Sequence, residues 1–197
     1  MAKLIEMVHV ALGGEQGTND WARPYLDDEH LAYSQALLNE TDALLLGRTT
    51  FEGLSAAYLA MAEHAGDPPS DFDRFVARMN LLPKFVGSTT LRGRTDLPWN
   101  ATVIEGDVAE RVAELKQQPG GNLLKYGDGP LGATLARHHL IDEYHLFLTP
   151  VAIGTGRNLF ADIDWAPQLT LLDLTRFASG VVVLVYGPQE SSALMEE

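Results

Sequence analysis

The chain has 197 residues, 46% of them hydrophobic, a formal net charge of −13 and no cysteine. That length supports one ordinary globular domain with a real core and is too short for two comfortable ones. The missing cysteine excludes disulfides and thiolate metal sites and suits a cytoplasmic protein. So acidic a chain repels nucleic acid and anionic membranes unless a basic patch offsets the field, and no basic run is present.

The first strand is expected over "KLIEMVHVAL", Lys3 to Leu12, which is partly alternating and rich in β-branched residues. The N-terminus lacks the long apolar stretch of a signal peptide, and no later run is long enough to span a bilayer. A glycine-rich loop, "GGEQGTNDWARP", follows. "LDDEHLAYSQALLNE" reads as a helix that Asp27 or Asp28 can cap, with Glu29 in its positive first turn and Leu31, Leu37 and Leu38 on its apolar face. "ALLLG" has the continuous apolar pattern of a strand covered on both sides.

From Phe51 to Asp71 the pattern is mixed, and "GDPPS" marks a break. "DFDRFVARMN" reads as a helix with Phe72, Phe75, Val76 and Met79 on one side. "PKFVGSTT" and "ATVIEG" read as strands. "DVAERVAELKQQPGG" is a helix with Asp107 as cap, Glu110 closing a capping box and Gly-Gly past its end. "NLLKYGDG" is a strand running into glycines. "PLGATLARHHL" is a helix with Pro130 in its first turn. "IDEYHLFLTPVAIG" reads as one long strand. "LTLLDLTRF" and "GVVVLVYGP" form a hairpin through "ASG". Residues 1–188 make a single domain, and 189–197 a polar, loose tail.

Strands alternate with helices through the first two thirds, and then strands follow one another. The implied fold class is α/β: a mostly parallel open sheet with helices on both faces and an antiparallel C-terminal hairpin at its edge. Such sheets bind ligands beyond the carboxyl ends of their strands.

Three of those ends carry anion-binding chemistry. They are Gly47-Arg48-Thr49-Thr50, then Ser88-Thr89-Thr90, then Gly127-Asp128-Gly129 immediately before a helix. Glycine admits a phosphate close to the backbone, a helix start offers unpaired N–H groups, and arginine offers a forked donor set. Alone, GRTT is a turn followed by a helix cap, and Ser88-Thr89-Thr90 a plain loop. Their recurrence favours a dinucleotide of the NADP type, with one end for the 2′-phosphate and the others for the pyrophosphate. The GxGxxG fingerprint of a dehydrogenase is not clearly present, because Gly127, Gly129 and Gly132 follow the C-terminal half of the sheet.

The set "DALLLGRTTFEG", "LPKFVGSTT", "LLKYGDGPL" and "LFLTPVAIGTGRNLF" resembles the dihydrofolate reductase-like superfamily. It is closest to the reductase domain of bifunctional riboflavin-biosynthesis enzymes and its stand-alone bacterial relatives, from Lys3 to about Pro188. The resemblance implies the three-layer fold of that superfamily and NADPH held in an extended pose across the sheet. It places Arg48 at the 2′-phosphate and Thr50 at the pyrophosphate, with Gly47 and Thr49 in the same turn. It also implies Ser88 and Thr89 around the adenosine phosphate and Gly106, with Asp107, near the adenine. Gly127, Asp128, Gly129 and Leu131 fall at the pyrophosphate, and Val10 and Ala11 beside the nicotinamide. A homodimer is implied as well, which fits two long apolar terminal strands that need cover on an edge.

Two departures stand out. Relatives often show Ser-Leu-Asp-Gly after the first strand; here it is Ala11-Leu12-Gly13-Gly14, without the carboxylate. Asp128 adds a negative charge beside the pyrophosphate, worth about 4 kcal/mol of repulsion at about 4 Å and an effective dielectric near 20. Either it points away, capping the Pro130 helix, or the cofactor binds weakly.

The substrate side is thinner, and no catalytic residue is assigned. Asp27, Asp28 and Glu29 cluster at a helix start, where capping explains them, so a folate reductase is not expected; Asp28 is kept as a substrate-binding candidate. Trp21 either covers a planar ring or anchors its loop. Arg157 either holds a substrate phosphate or is a solvated loop charge. His9 either faces the cleft or is a core histidine. No metal-ligand spacing is present, and no metal is expected. The expected function is NADPH-dependent reduction of a small heterocyclic or carbonyl-bearing metabolite. The alternative is a non-catalytic nucleotide-binding module of the same fold.

Overall fold

The computed structural model describes residues 1–16 and 19–189. An eight-stranded sheet is built from β1 (Leu4–Val10), β3 (Thr41–Gly47), β4 (Lys84–Gly87), β5 (Ala101–Val103), β6 (Asn122–Tyr126), β7 (Glu143–Leu148), β9 (Leu169–Arg176) and β10 (Val182–Pro188). A separate two-stranded ribbon pairs β2 (Glu15–Gln16) with β8 (Arg157–Asn158). The main order is β5-β4-β3-β6-β1-β7-β10-β9. Every pairing from β5 to β7 is parallel, and β10 and β9 close the edge antiparallel. The mostly parallel sheet with its C-terminal hairpin therefore stands as expected.

Among the described residues five α-helices cover the sheet: α1 (Asp28–Asn39), α2 (Arg48–Ala62), α3 (Asp71–Leu81), α4 (Val108–Gln117) and α5 (Pro130–Arg137). Leu38, Phe51, Phe75 and Met79 carry α1, α2 and α3 onto one face, against Ile5, Met7, Leu44 and Leu46. Val112, Leu115 and Leu135 carry α4 and α5 onto the other, against Leu4, Ala43, Leu45 and Leu123. The run "ALLLG" is continuous because successive residues of β3 feed these two cores alternately.

Local signals fix most boundaries. Asp27 accepts the His30 N–H at 2.9 Å and caps α1, so Asp28 is the first helical residue and not the cap. Asp107 accepts from Ala109 and Glu110 N–H at 2.8 and 3.0 Å, and these bonds hold its carboxyl below the usual range. Glu110 does not close a capping box there. The reciprocal box lies at Ser70 and Asp73 instead: Asp73 N–H donates to Ser70 Oγ at 3.1 Å and Ser70 N–H returns to Asp73 Oδ2 at 2.8 Å. The hairpin turns through Ala178-Ser179-Gly180, with Gly180 at φ 90°.

Three further expectations are corrected. The mixed segment after Phe51 is the helix α2; only Phe51 and Ser55 are buried in it, so its amphipathic signal is faint. Phe72 is 46% exposed and leaves the apolar side of α3 to Phe75, Val76 and Met79. The long strand expected from Ile141 to Gly154 is ordered as β7 only between Glu143 and Leu148, because Pro150 cannot donate to a ladder. The tail expected from residue 189 lies, beyond Gln189, outside the described residues.

Candidate functional site

The carboxyl ends of β3, β4 and β5 open onto a groove of about 390 Å³. Arg48, Ser88, Thr89, Gly106 and Leu131 all line it. Three helix starts meet there: Arg48 is the first residue of α2, Asp107 caps α4, and Pro130 opens α5. The caps of α2 and α5 are glycines, Gly47 and Gly129, which supply no side-chain acceptor to the first-turn N–H groups. Those donors are left for an external anion. Glycine also sets the packing at Gly87, where a Cβ would come 2.8 Å from Leu131 Cδ1.

Arg48 donates to Glu52 at 3.1 Å, with both side chains about half exposed. A pair that open contributes about 0.2–1 kcal/mol, so the guanidinium can be redirected to a stronger anion at little cost. Arg92, which no motif singled out, also lines the groove and donates to the Gly106 carbonyl at 2.9 Å. It comes two residues after the Ser88-Thr89-Thr90 hydroxyls, past Leu91, and that proximity is its only signal in the sequence. Ser88 Oγ and Thr90 Oγ1 lie 3.2 Å apart. Thr49 is exposed on the first turn of α2.

Gly127 sits beside the groove, in the turn that leads into Pro130 and Leu131. Its φ is 71°, and a Cβ on it would lie 3.4 Å from Thr50 Oγ1. The turns after β3 and β6 therefore touch. Asp128 points away from the groove, as the charge argument requires, but it does not cap α5. Its Oδ2 accepts the Phe160 N–H at 2.9 Å, tying the glycine turn to the segment after β8.

Two strands along from β3, at the carboxyl end of β1, Val10 and Ala11 are buried and their backbone is engaged. Thr149 N–H donates to Val10 O at 2.8 Å, and Ala11 N–H to Glu15 O at 2.9 Å. His9, just before them, has its ring centroid 5.1 Å from that of His30 and 5.0 Å from that of Phe147, and the two histidine Nε2 atoms are 3.3 Å apart. Burial lowers both imidazoles, His9 to about 3 and His30 to about 4. His9 is thus a partnered histidine under α1. Trp21 is half-buried in a short turn, and Asp28 is exposed. Arg157, on β8, is ion-paired with Asp162, so its charge already has a partner.

This architecture is the fold of the dihydrofolate reductase-like proteins. The chain belongs to the RibD C-terminal domain family, whose model matches residues 8–183. It is 30% identical to the uncharacterized protein YyaP of Bacillus subtilis over 173 residues, covering 88% of this chain and 86% of that one. In fold it is similar to a Shewanella sp. PV-4 protein ascribed to riboflavin biosynthesis (TM-score 0.66, 20% identity, 96% of this chain and 100% of that one). It is similar also to Enterococcus faecalis dihydrofolate reductase complexed with NADP(H) (TM-score 0.60, 15% identity, 95% of this chain and 97% of that one).

Proposed function

We propose that the protein is an NADPH-dependent reductase of a small heterocyclic or carbonyl-bearing metabolite. The observation that carries the reading is the groove where three helix starts, two arginines and a run of hydroxyls meet at parallel-strand ends. The donor set fits phosphates: forked cations at one end, backbone N–H groups at the other. Arg48, Arg92, Ser88 and Thr89 would hold the 2′-phosphate end. Gly127, Gly129 and the start of α5 would hold the pyrophosphate, and the ends of β1 would flank the nicotinamide. When bound, that cofactor would supply the hydride, and the protein would orient it, exclude water and pass on the proton that completes the reduction.

The two departures that favoured a non-catalytic module are weakened by geometry. Asp128 is turned from the groove, and a carboxylate does stand at residue 13, supplied by Glu15. Among the proteins of similar fold, the Enterococcus faecalis one is a reductase by name, which is in keeping with this reading. A homodimer and a cytoplasmic location complete the reading. Titration with NADPH and NADH, followed by cofactor fluorescence, tests it: NADPH should bind in the micromolar range and far more tightly than NADH. No binding of either at millimolar concentration would end it.

A further inference from the structure

We propose that Lys125 is a positioning residue for the pyrophosphate turn. From inside the core it holds the Gly127 carbonyl inward and so turns the next backbone N–H toward the groove. The inference rests on the dinucleotide reading above and says how one part of that site is built.

Lys125 on β6 is 2% exposed, and its cross-strand neighbour on β1, Glu6, is fully buried. Lys125 Nζ lies 2.9 Å from Glu6 Oε2, yet neither Glu6 oxygen is aligned for a directed hydrogen bond. The two side chains form a close buried pair, in which burial raises the Glu6 carboxyl above its ordinary range. The directed bond from Lys125 Nζ goes to the Gly127 carbonyl. A trans peptide is planar, with C=O and N–H on opposite sides. Pulling the Gly127 oxygen into the core therefore faces the Asp128 N–H outward. Gly127 reaches this arrangement with φ 71°, and its own N–H is pinned to Met7 O at 2.9 Å. Asp128, meanwhile, sends its carboxylate down beside the same ammonium: a Cβ on Gly132 would lie 2.9 Å from Asp128 Oδ1, 3.0 Å from Glu6 Oε2 and 3.1 Å from Lys125 Nζ.

Stability does not account for such a cluster. Desolvating an ammonium and a carboxylate costs several kcal/mol, and an apolar pair of the same volume is about neutral or better. Positions 6 and 125 lie inside central strands, where apolar side chains would pack without that cost. What the ammonium adds is direction, because it fixes one carbonyl and balances a carboxylate that would otherwise face the ligand's phosphates.

The test compares two probes on wild type and Lys125→Met by calorimetry: NADP⁺, and 2′-AMP, which lacks the pyrophosphate. Wild type should bind both. Lys125→Met should raise the Kd for NADP⁺ tenfold or more and leave that for 2′-AMP within twofold. Equal losses for both probes, or none, would overturn the proposal. If the single variant does not fold, Glu6→Gln with Lys125→Met removes both members of the buried Glu6–Lys125 pair, and the same selective loss is required of it. Wild type failing to bind NADP⁺ would overturn the dinucleotide reading as well. Wild type binding it, with an unselective variant, overturns only the role of Lys125.

Discussion

Glu15 lays its carboxylate over Gly13: a Cβ added at residue 13 would lie 2.5 Å from each of its oxygens. Glu15 is itself buried, and its Oε2 has no partner among the described residues. A carboxylate on residue 13 has no room here, because one arrives from two residues further on. Gly13→Asp should therefore lose about 1–3 kcal/mol of stability through overpacking and like charge. Glu15→Ala in the same chain should recover part of it. Chemical denaturation of both single variants and the double measures the coupling; strict additivity would mean that Glu15 swings aside freely.

Gly132 lies within α5, where Gly→Ala ordinarily gains up to about 1 kcal/mol in helix propensity. Its Cβ would meet three charged groups at 3.1 Å or less. Gly132→Ala should instead lose at least about 2 kcal/mol. Gly53 in α2, exposed and with nothing within 4 Å of an added Cβ, is the control: Gly53→Ala should show the ordinary gain. Thermal melts of the two variants should shift in opposite directions.

Arg48→Ala removes the guanidinium at the start of α2. Charge-assisted bonds contribute about 1.5–3 kcal/mol, so NADPH affinity should fall roughly 10- to 100-fold while NADH affinity barely changes. Arg92→Ala should act in the same direction and more weakly, since Arg92 is partly occupied by the Gly106 carbonyl. Stability should hold in both, because the Arg48–Glu52 pair is exposed. Equal weakening of NADPH and NADH would place the 2′-phosphate elsewhere.

His9 and His30 stay neutral in the folded chain down to about pH 3 and 4, through burial. In the unfolded chain they take up protons from about pH 6.5. Below that pH the unfolded state binds more protons, so stability falls as pH falls, by up to about 1.4 kcal/mol per pH unit for each histidine. Asp27 and Asp107, held low by backbone N–H groups, add acid sensitivity only below about pH 4. Urea midpoints between pH 6.5 and 4.5 should therefore slope steeply in wild type and less in His9→Phe. Parallel slopes would remove His9 from the account.

β9 is the outer strand of the sheet, and Leu171, Leu172 and Leu174 on it are 49%, 55% and 54% exposed. An edge strand of eight residues that exposes three leucines invites a second copy. Wild type should elute as a dimer in size-exclusion chromatography, and Leu172→Lys should shift it toward the 21.5 kDa monomer. Monomeric wild type would refute the homodimer.

The sheet was legible because its signals are local: apolar runs of strand length, and caps such as Asp27 and Asp107 at helix starts. Much of the groove was legible for the same reason, since Arg48, Ser88, Thr89, Gly106 and Leu131 each sit at a punctuated strand or helix end. The helix α2 was missed because its exposed alanines and glycine blur its period. Arg92 was missed because no spacing marks it. Glu6, Lys125 and Gly132 could not be brought together from the sequence, because strand register, and not chain order, makes them neighbours. Glu15 carries no mark in the sequence, because only the fold of its loop brings its carboxylate back over Gly13.

The groove's positive helix ends are set in a chain of net charge −13. Far from the protein an anionic ligand meets a repulsive field; within a few ångströms it meets donors. Added salt shortens the Debye length to about 8 Å at physiological strength and screens the distant field first. Moderate salt should therefore quicken the arrival of a phosphate-bearing ligand and hardly change its departure, the reverse of electrostatic steering. The acidic surface acts as a filter on arrival, and the cell's ionic strength opens it.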